Sequence, residues 1–419
     1  MLGAAMPGVP ARRLQRWLLG SLLSADLVLF AIVACVVPFQ APTLEYFYAA
    51  TEFAATHRIV SEFIPIGYPA LVGLAAMPTH RAAAAQSAMM AVNVLIALAT
   101  VAAAWAYLRC SGTGVKATLA LAALLSVYPD FLLSVNKVQD ANFTALLLFA
   151  FLAATLNALR HGRLSAADIM LGLVLGAAVS SRSNLVLLLP VSWVVLWRVS
   201  GAASWKRALL HAAIAAALYF GVTTAVHGRP FLPHYGPYNL YAGNNEMTEQ
   251  HLMNQEDSLP TAVLQHGITA VLLAKQNPDN PAVNDVRDRK YERLYVRWTL
   301  SFVRQHPTWE LRLTAWKFWN MMRPDFRVRH LPSLGGWMKV LASCALPLWL
   351  LGMLFLPHPE PDVPAAKLLL GLTIAVYLLP FLVTVSAQRF RVPLDFLCWV
   401  DLGAMLVLWR RNYAVSRAR

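Results

Sequence analysis

The sequence predicts an all-α polytopic membrane protein with about ten transmembrane helices, and three observations carry that prediction. Of 419 residues, 58% are hydrophobic and only 13% charged, where a soluble chain carries about 25% charged residues. Apolar stretches of spanning length follow one another, each near the roughly 20 residues a helix needs to cross the hydrocarbon core. Arg and Lys gather in the short connectors between these stretches, which is how a membrane protein records its orientation. The net charge of +14 raises the question of nucleic acid. No basic stripe lies on a polar domain, so the sequence points to membrane lipids and not to a nucleic-acid partner.

The first apolar run, 17–38, follows Arg12, Arg13 and Arg16. It is too long for a signal-peptide core and has no small-residue cleavage site, so it reads as a retained helix. The other stretches are 84–108, 116–135, 140–159, 165–180, 183–198, 207–226, 337–356, 366–385 and 392–409. The polar run Ser180-Ser-Arg-Ser-Asn184 reads as a tight turn between two short spans. With that split the charges fall into register. Arg109/Lys116, Arg160/Arg163, Arg198/Lys206/Arg207 and Arg410/Arg411/Arg417/Arg419 share the side of the N-terminal arginines. The connector 357–365 is the exception, with Glu360 and Asp362. The positive-inside rule makes this side cytoplasmic and puts both termini there. The expected organisation is an N-terminal module 1–226 of about seven spans, an outward-facing region 227–336, and a C-terminal module 337–419 of about three spans.

Three segments face outward: 39–83, 227–336 and 386–391. In the first, Leu44, Phe47, Tyr48 and Thr51 are spaced i, i+3, i+4, i+7, which predicts an amphipathic helix lying in the interface. Pro65-Ile-Gly-Tyr-Pro69 then turns the chain back. The second is polar and rich in Asn, Arg, Trp and Tyr, and it carries Gly236-Pro-Tyr-Asn-Leu-Tyr-Ala-Gly-Asn-Asn-Glu246. Tyr291, Leu294, Tyr295, Trp298 and Phe302 mark one helix face that stops at Pro307. Trp309, Leu313 and Trp316 mark a second helix, from about Thr308 to Met322, ended by Pro324. Trp and Tyr at this density suit the headgroup region. Cys35, Cys110, Cys344 and Cys398 form no CxxC pair, so neither a disulfide framework nor a zinc site is expected. No cofactor is specified, and a divalent metal has no ligand motif such as HExxH.

Several blocks resemble the GT-C superfamily of polytopic glycosyltransferases, in particular relatives of the protein O-mannosyltransferases and of the lipid A aminoarabinose transferase. They are Ile66-Gly-Tyr-Pro69, Gln139-Asp-Ala-Asn-Phe143, Ser181-Arg-Ser-Asn-Leu185, the Asn-Leu-Tyr-Ala-Gly-Asn-Asn run at 239–245, His306-Pro307 and Arg389-Phe-Arg-Val-Pro393. They come in the family's order and spread over nearly the whole chain. The resemblance implies an inner-membrane enzyme of the bacterial envelope. It would move a sugar from a polyprenyl-phosphate donor to a hydroxyl or phosphate on a lipid, glycan or protein acceptor, usually with inversion. Its site would lie between the first outward loop and the soluble segment.

That chemistry sets the residues to look for. Developing charge on a phosphate leaving group calls for cations, and Arg binds phosphate bidentately. Arg389 and Arg391 stand on the outward side against the charge bias and are the first donor-phosphate candidates, with snorkelling at a helix end as the alternative. Arg182 is a third such cation or an interfacial anchor. The resemblance places an acidic residue at Asp140, which otherwise forms a local ion pair with Lys137. The family's first-loop Asp has no counterpart here. Glu45, in Pro42-Thr-Leu-Glu-Tyr46, is the nearest carboxylate and the candidate base, or else a first-turn residue favoured by the helix dipole. Glu62 and an acceptor that needs no base are the other options. Tyr238, Tyr241, Asn244 and Asn245 are either a substrate-facing loop or a structural turn. Asp26, inside the first span, should face protein. Competing readings are an O-antigen polymerase or ligase, a transporter or flippase for a lipid-linked saccharide, and an inactive scaffold. A transporter should carry broken spans and internal symmetry, and no repeat is evident.

Overall fold

Among the described residues of the computed structural model, six helices are long and apolar enough to cross a membrane, and a seventh joins them if one bent pair counts as a single span. The protein is therefore a multi-pass membrane protein. The structure describes residues 9–41, 44–61, 64–79, 81–161, 164–201, 204–233, 235–245, 248, 289–324, 334–356, 363–384 and 388–417. Among them there is no β-strand, only one isolated bridge between Gln40 and Lys137.

Helix α1 (Val9–Val36) is mostly exposed along its span, as a lipid-facing helix should be. Its one carboxylate, Asp26, turns inward as expected and accepts a 2.9 Å bond from Ser126 Oγ. Two short helices follow, α2 (Leu44–Thr56) and α3 (Gly67–Ala76), and they pack on each other. Toward the protein α2 buries a second face, beside the stripe expected to lie in the interface. Ala49, Ala50 and Phe53 are buried while Tyr48 is exposed. Gly73 of α3 permits the contact: a Cβ there would lie 2.6 Å from the Ala50 carbonyl oxygen. The two backbones meet across small residues, and the larger rings are left to the flanks.

Helix α4 (Ala82–Cys110) is Ala-rich and packs closely on α7 (Ala141–His161). Between them, the stretch 116–135 is not one straight helix. Helix α5 (Val115–Ser126) and the segment Pro129–Asn136, which begins with α6 (Pro129–Leu133), meet at a 54° bend. Pro129 lacks the N–H that would continue the ladder. Helices α8 (Ala166–Ser181) and α9 (Leu188–Ser200), with a 3₁₀ turn at Ser183–Leu187 between them, are apolar but short. Helix α10 (Ser204–His227) lies tightly on α8, where a Cβ on Gly176 would come 2.9 Å from the Ala215 carbonyl oxygen.

The polar region holds α11 (Tyr235–Gly243), α12 (Glu292–Gln305) and α13 (Pro307–Met322). Pro307 occupies the first turn of α13, where its missing N–H costs nothing. The expected inner faces of both helices are observed: Tyr291, Tyr295, Phe302 and Leu313 are buried. The stretch 337–356 breaks at Cys344 into α14 (Leu334–Ser343) and α15 (Ala345–Phe355). Helices α16 (Val363–Val383) and α17 (Val392–Arg417) complete the bundle, with a 3₁₀ turn at Gln388–Arg391 before α17. Helix α17 packs on α4, α5, α7 and α15, and its middle lies in the core.

Candidate functional site

A buried ion pair joins two of the expected site residues. Arg182 ends α8 in an extended conformation, so its side chain leaves the helix axis and crosses to α7. Its Nε donates to Asp140 Oδ2 at 2.5 Å and its Nη2 to Asp140 Oδ1 at 2.8 Å. This is a two-pronged guanidinium–carboxylate contact. Nη1 donates to the Tyr377 hydroxyl at 2.7 Å. Three of the roughly five N–H donors of a guanidinium are thus engaged. The contact reaches across 42 residues of sequence.

Other elements close around the pair. Tyr46, on α2, points its hydroxyl at Asp140 Oδ2 over 3.5 Å. Burial, then the Asp140 charge, holds that phenol well above its ordinary range, so it stays a proton donor. Tyr235 opens α11 and donates to Ser183 Oγ at 3.4 Å, and burial raises its phenol too. The Tyr377 hydroxyl donates to the Phe390 carbonyl at 2.9 Å. The Phe390 ring lies 6.0 Å from the Arg182 guanidinium carbon. The segment before Asp140 is pinned as well. Gln40 N–H donates to the Asn136 carbonyl and Val138 N–H to the Gln40 carbonyl, Asn93 donates to the Lys137 carbonyl at 2.9 Å, and Tyr68 donates to Asn93 at 2.8 Å. The first loop, the α7 and α8 ends, α11 and the 388–391 turn therefore converge on one carboxylate and one guanidinium.

Glu45 is half-buried in the first turn of α2, one residue before Tyr46. Glu62 lies outside the described residues. The backbone of Arg389 belongs to the turn before α17, and its side chain lies outside what the structure describes. Arg391 is fully buried and committed to protein partners. Nη1 donates to the carbonyls of Met321 and Arg323 at 2.6 and 2.9 Å, Nη2 to that of Ser343 at 2.8 Å, and Nε to Asp395 at 3.0 Å. It clasps the ends of α13 and α14 to α17, satisfying last-turn carbonyls that a helix cannot bond itself.

The Tyr-Asn run is a helix packed against protein. The Tyr241 ring stacks on Tyr295 at 5.6 Å and leans on Trp298, and Tyr238 meets Tyr295 edge-on. Asn245 donates to the Tyr241 carbonyl at 2.9 Å. Asn244 donates to the Leu240 and Val383 carbonyls at 2.6 and 2.7 Å and accepts from Lys317. The four residues thus tie α11 to α12, α13 and α16.

Sequence reasoning missed Tyr46, Tyr235, Tyr377 and Lys317. Lys317 alone left a signal, one turn past Leu313 on the apolar face of α13. Burial pushes its ammonium down to about 8, with Glu310 at 3.9 Å opposing. An unfolded Lys titrates near 10.4, so the folded state resists protonation. That penalty is complete below about pH 8 and is relieved as pH rises toward 10.4. Relative to Lys317→Met, the wild type should gain about 3 kcal/mol of stability between those values. Thermal unfolding of both at several pH values checks this, and parallel curves would show that Lys317 does not titrate there.

Among the described residues, no three His, Cys, Asp or Glu side chains stand close enough to hold a metal ion. The cysteines are free thiols. No protein-family model matches the chain, and no curated protein matches it significantly.

Proposed function

We propose that the chain is a GT-C-type glycosyltransferase of the bacterial inner membrane, with about ten spans and both termini cytoplasmic. It moves a sugar from a polyprenyl-phosphate donor to a lipid, glycan or protein acceptor at the outer leaflet. One observation supports this above the rest. The segments around Tyr68, Asp140, Arg182 and Phe390, which carry the family resemblance, meet around one buried carboxylate–guanidinium pair. An ionisable pair buried among membrane helices is a functional-site candidate by default.

In the proposed reaction the C1–O bond to the donor phosphate breaks. The phosphate leaves with the bonding electrons, and an acceptor oxygen bonds C1 from the opposite face. Arg389 receives the phosphate, and the remaining N–H groups of Arg182 face the same charge. Asp140 keeps Arg182 oriented. A hydroxyl acceptor gives its proton to Glu45, while a phosphate acceptor is already ionised and needs no base.

Transfer from a radiolabelled polyprenyl-phosphate sugar into membrane acceptors tests the reading. Arg389→Ala should lower the rate by about 10²–10³, the usual loss on removing one group that stabilises developing charge. Glu45→Gln should lower it by about 10²–10⁴ for a hydroxyl acceptor. Both proteins should remain in the membrane. Wild-type rates in the two variants would refute these assignments.

A further inference from the structure

The consecutive helices α12 and α13 have two exposed faces that the proposed site does not use. On α12, Arg293, Arg297, Leu300 and Arg304 follow i, i+4, i+7, i+11, and all four are exposed. They line an open groove of about 460 Å³ along the helix, with Ser301 between them. The stretch 289–305 holds five cations, Arg289, Lys290, Arg293, Arg297 and Arg304, against the single carboxylate of Glu292. On α13, Leu311, Phe318 and Trp319 are 74%, 47% and 55% exposed and share one face. The opposite face carries the buried Leu313, Lys317 and Asn320.

Neither face is explained by packing. A helix with large apolar side chains on one exposed face and cations close by lies in a membrane interface. Helix α13 packs on α16, one of the spanning helices, and its last carbonyls are held by Arg391 at the start of α17. The helix pair is therefore tied to the bundle at the end of two spans. Its arginine ridge suits phosphate oxygens, which a guanidinium engages in a bidentate fork. Cations beside an anionic leaflet gain roughly fivefold in association each.

We infer that the α12–α13 pair is a docking surface for anionic phospholipids, with Leu311, Phe318 and Trp319 dipping into the acyl region and Arg293, Arg297 and Arg304 holding headgroup phosphates. This holds whether or not the chain transfers a sugar. Which leaflet it meets follows from the orientation proposed above.

Two nitroxide labels test it in full-length protein lacking the four native cysteines. One is placed through Phe318→Cys and one through Ser301→Cys. The protein is reconstituted in nanodiscs of phosphatidylcholine, with and without phosphatidylglycerol. The label at 318 should collide more with oxygen than with a water-soluble nickel reagent. The label at 301 should lose mobility as phosphatidylglycerol is added, and high salt should reverse the effect. Arg293→Gln, Arg297→Gln and Arg304→Gln together should cut the response at a given phosphatidylglycerol fraction at least about tenfold. An aqueous profile at 318 overturns the proposal. So does an unchanged response at 301 in the triple variant, and so does an equal response to inorganic phosphate in phosphatidylcholine discs, which marks an anion site and not a lipid surface.

Discussion

Replacing Arg182 by Met should cost about 3–5 kcal/mol of stability, because it strands the Asp140 carboxylate in a buried site. Asp140→Leu should cost a similar amount by stranding the guanidinium. The double variant Asp140→Leu/Arg182→Met should recover most of that loss, since a buried ion pair replaced by apolar side chains of similar volume is often no less stable. Thermal unfolding of all four proteins measures the cycle. The transfer assay then separates two roles. If the pair belongs to the site, the double variant is stable and inactive. If the pair only joins α7 to α8, the double variant regains both stability and transfer. The 3.5 Å approach of Tyr46 to Asp140 is long for a strong bond, as catalytic contacts often are without substrate. Tyr46→Phe should therefore leave stability nearly untouched in the same series.

The second large effect is expected at Arg391. One planar fork makes bonds to three backbone carbonyls and one carboxylate, drawn from α13, α14 and α17. Arg391→Met removes the only cation facing Asp395 in these bonds and leaves the carbonyls without that donor. A loss of about 3–5 kcal/mol follows from the stranded carboxylate alone. Arg391→Lys should recover only part of it. A single ammonium keeps the charge near Asp395 but cannot span partners on three helices. Amide hydrogen exchange should rise along 307–322 in both variants, since α13 loses its clasp. A variant that keeps full stability and exchange protection but loses transfer would return Arg391 to the phosphate-binding role that its position in the sequence suggests.

Hydropathy located the helices well because the hydrophobic signal is local. All ten apolar stretches coincide with a helix or a helix pair, and among the described residues six to seven have the length and hydropathy of a span on their own. The breaks were less legible. Pro129 marks one in the sequence, but nothing at Cys344 does. The α12 and α13 faces were legible because aromatic residues at helical spacing have one way to pack. The face α2 turns to α3 was not, because close approach at Gly73 leaves no periodic signal in α2 itself. Asp140 and Arg182 were each legible as charges at span ends that needed a reason. Their partnership was not. The same holds for Asn244, whose turn-like setting gave no hint of Val383 or Lys317.

By itself the sequence determined that this is a multi-pass helical membrane protein, where its apolar helices lie, and which charges sit at their ends. Only the tertiary structure decided how those charges are spent: Asp140 on Arg182, Arg391 on the carbonyls of distant helix ends, Lys317 on Asn244. The reason is physical. Partition into a bilayer depends on short stretches of chain read one at a time. A buried polar group must be satisfied by whatever the fold brings within about 3 Å, and that neighbour is chosen by packing across the whole chain.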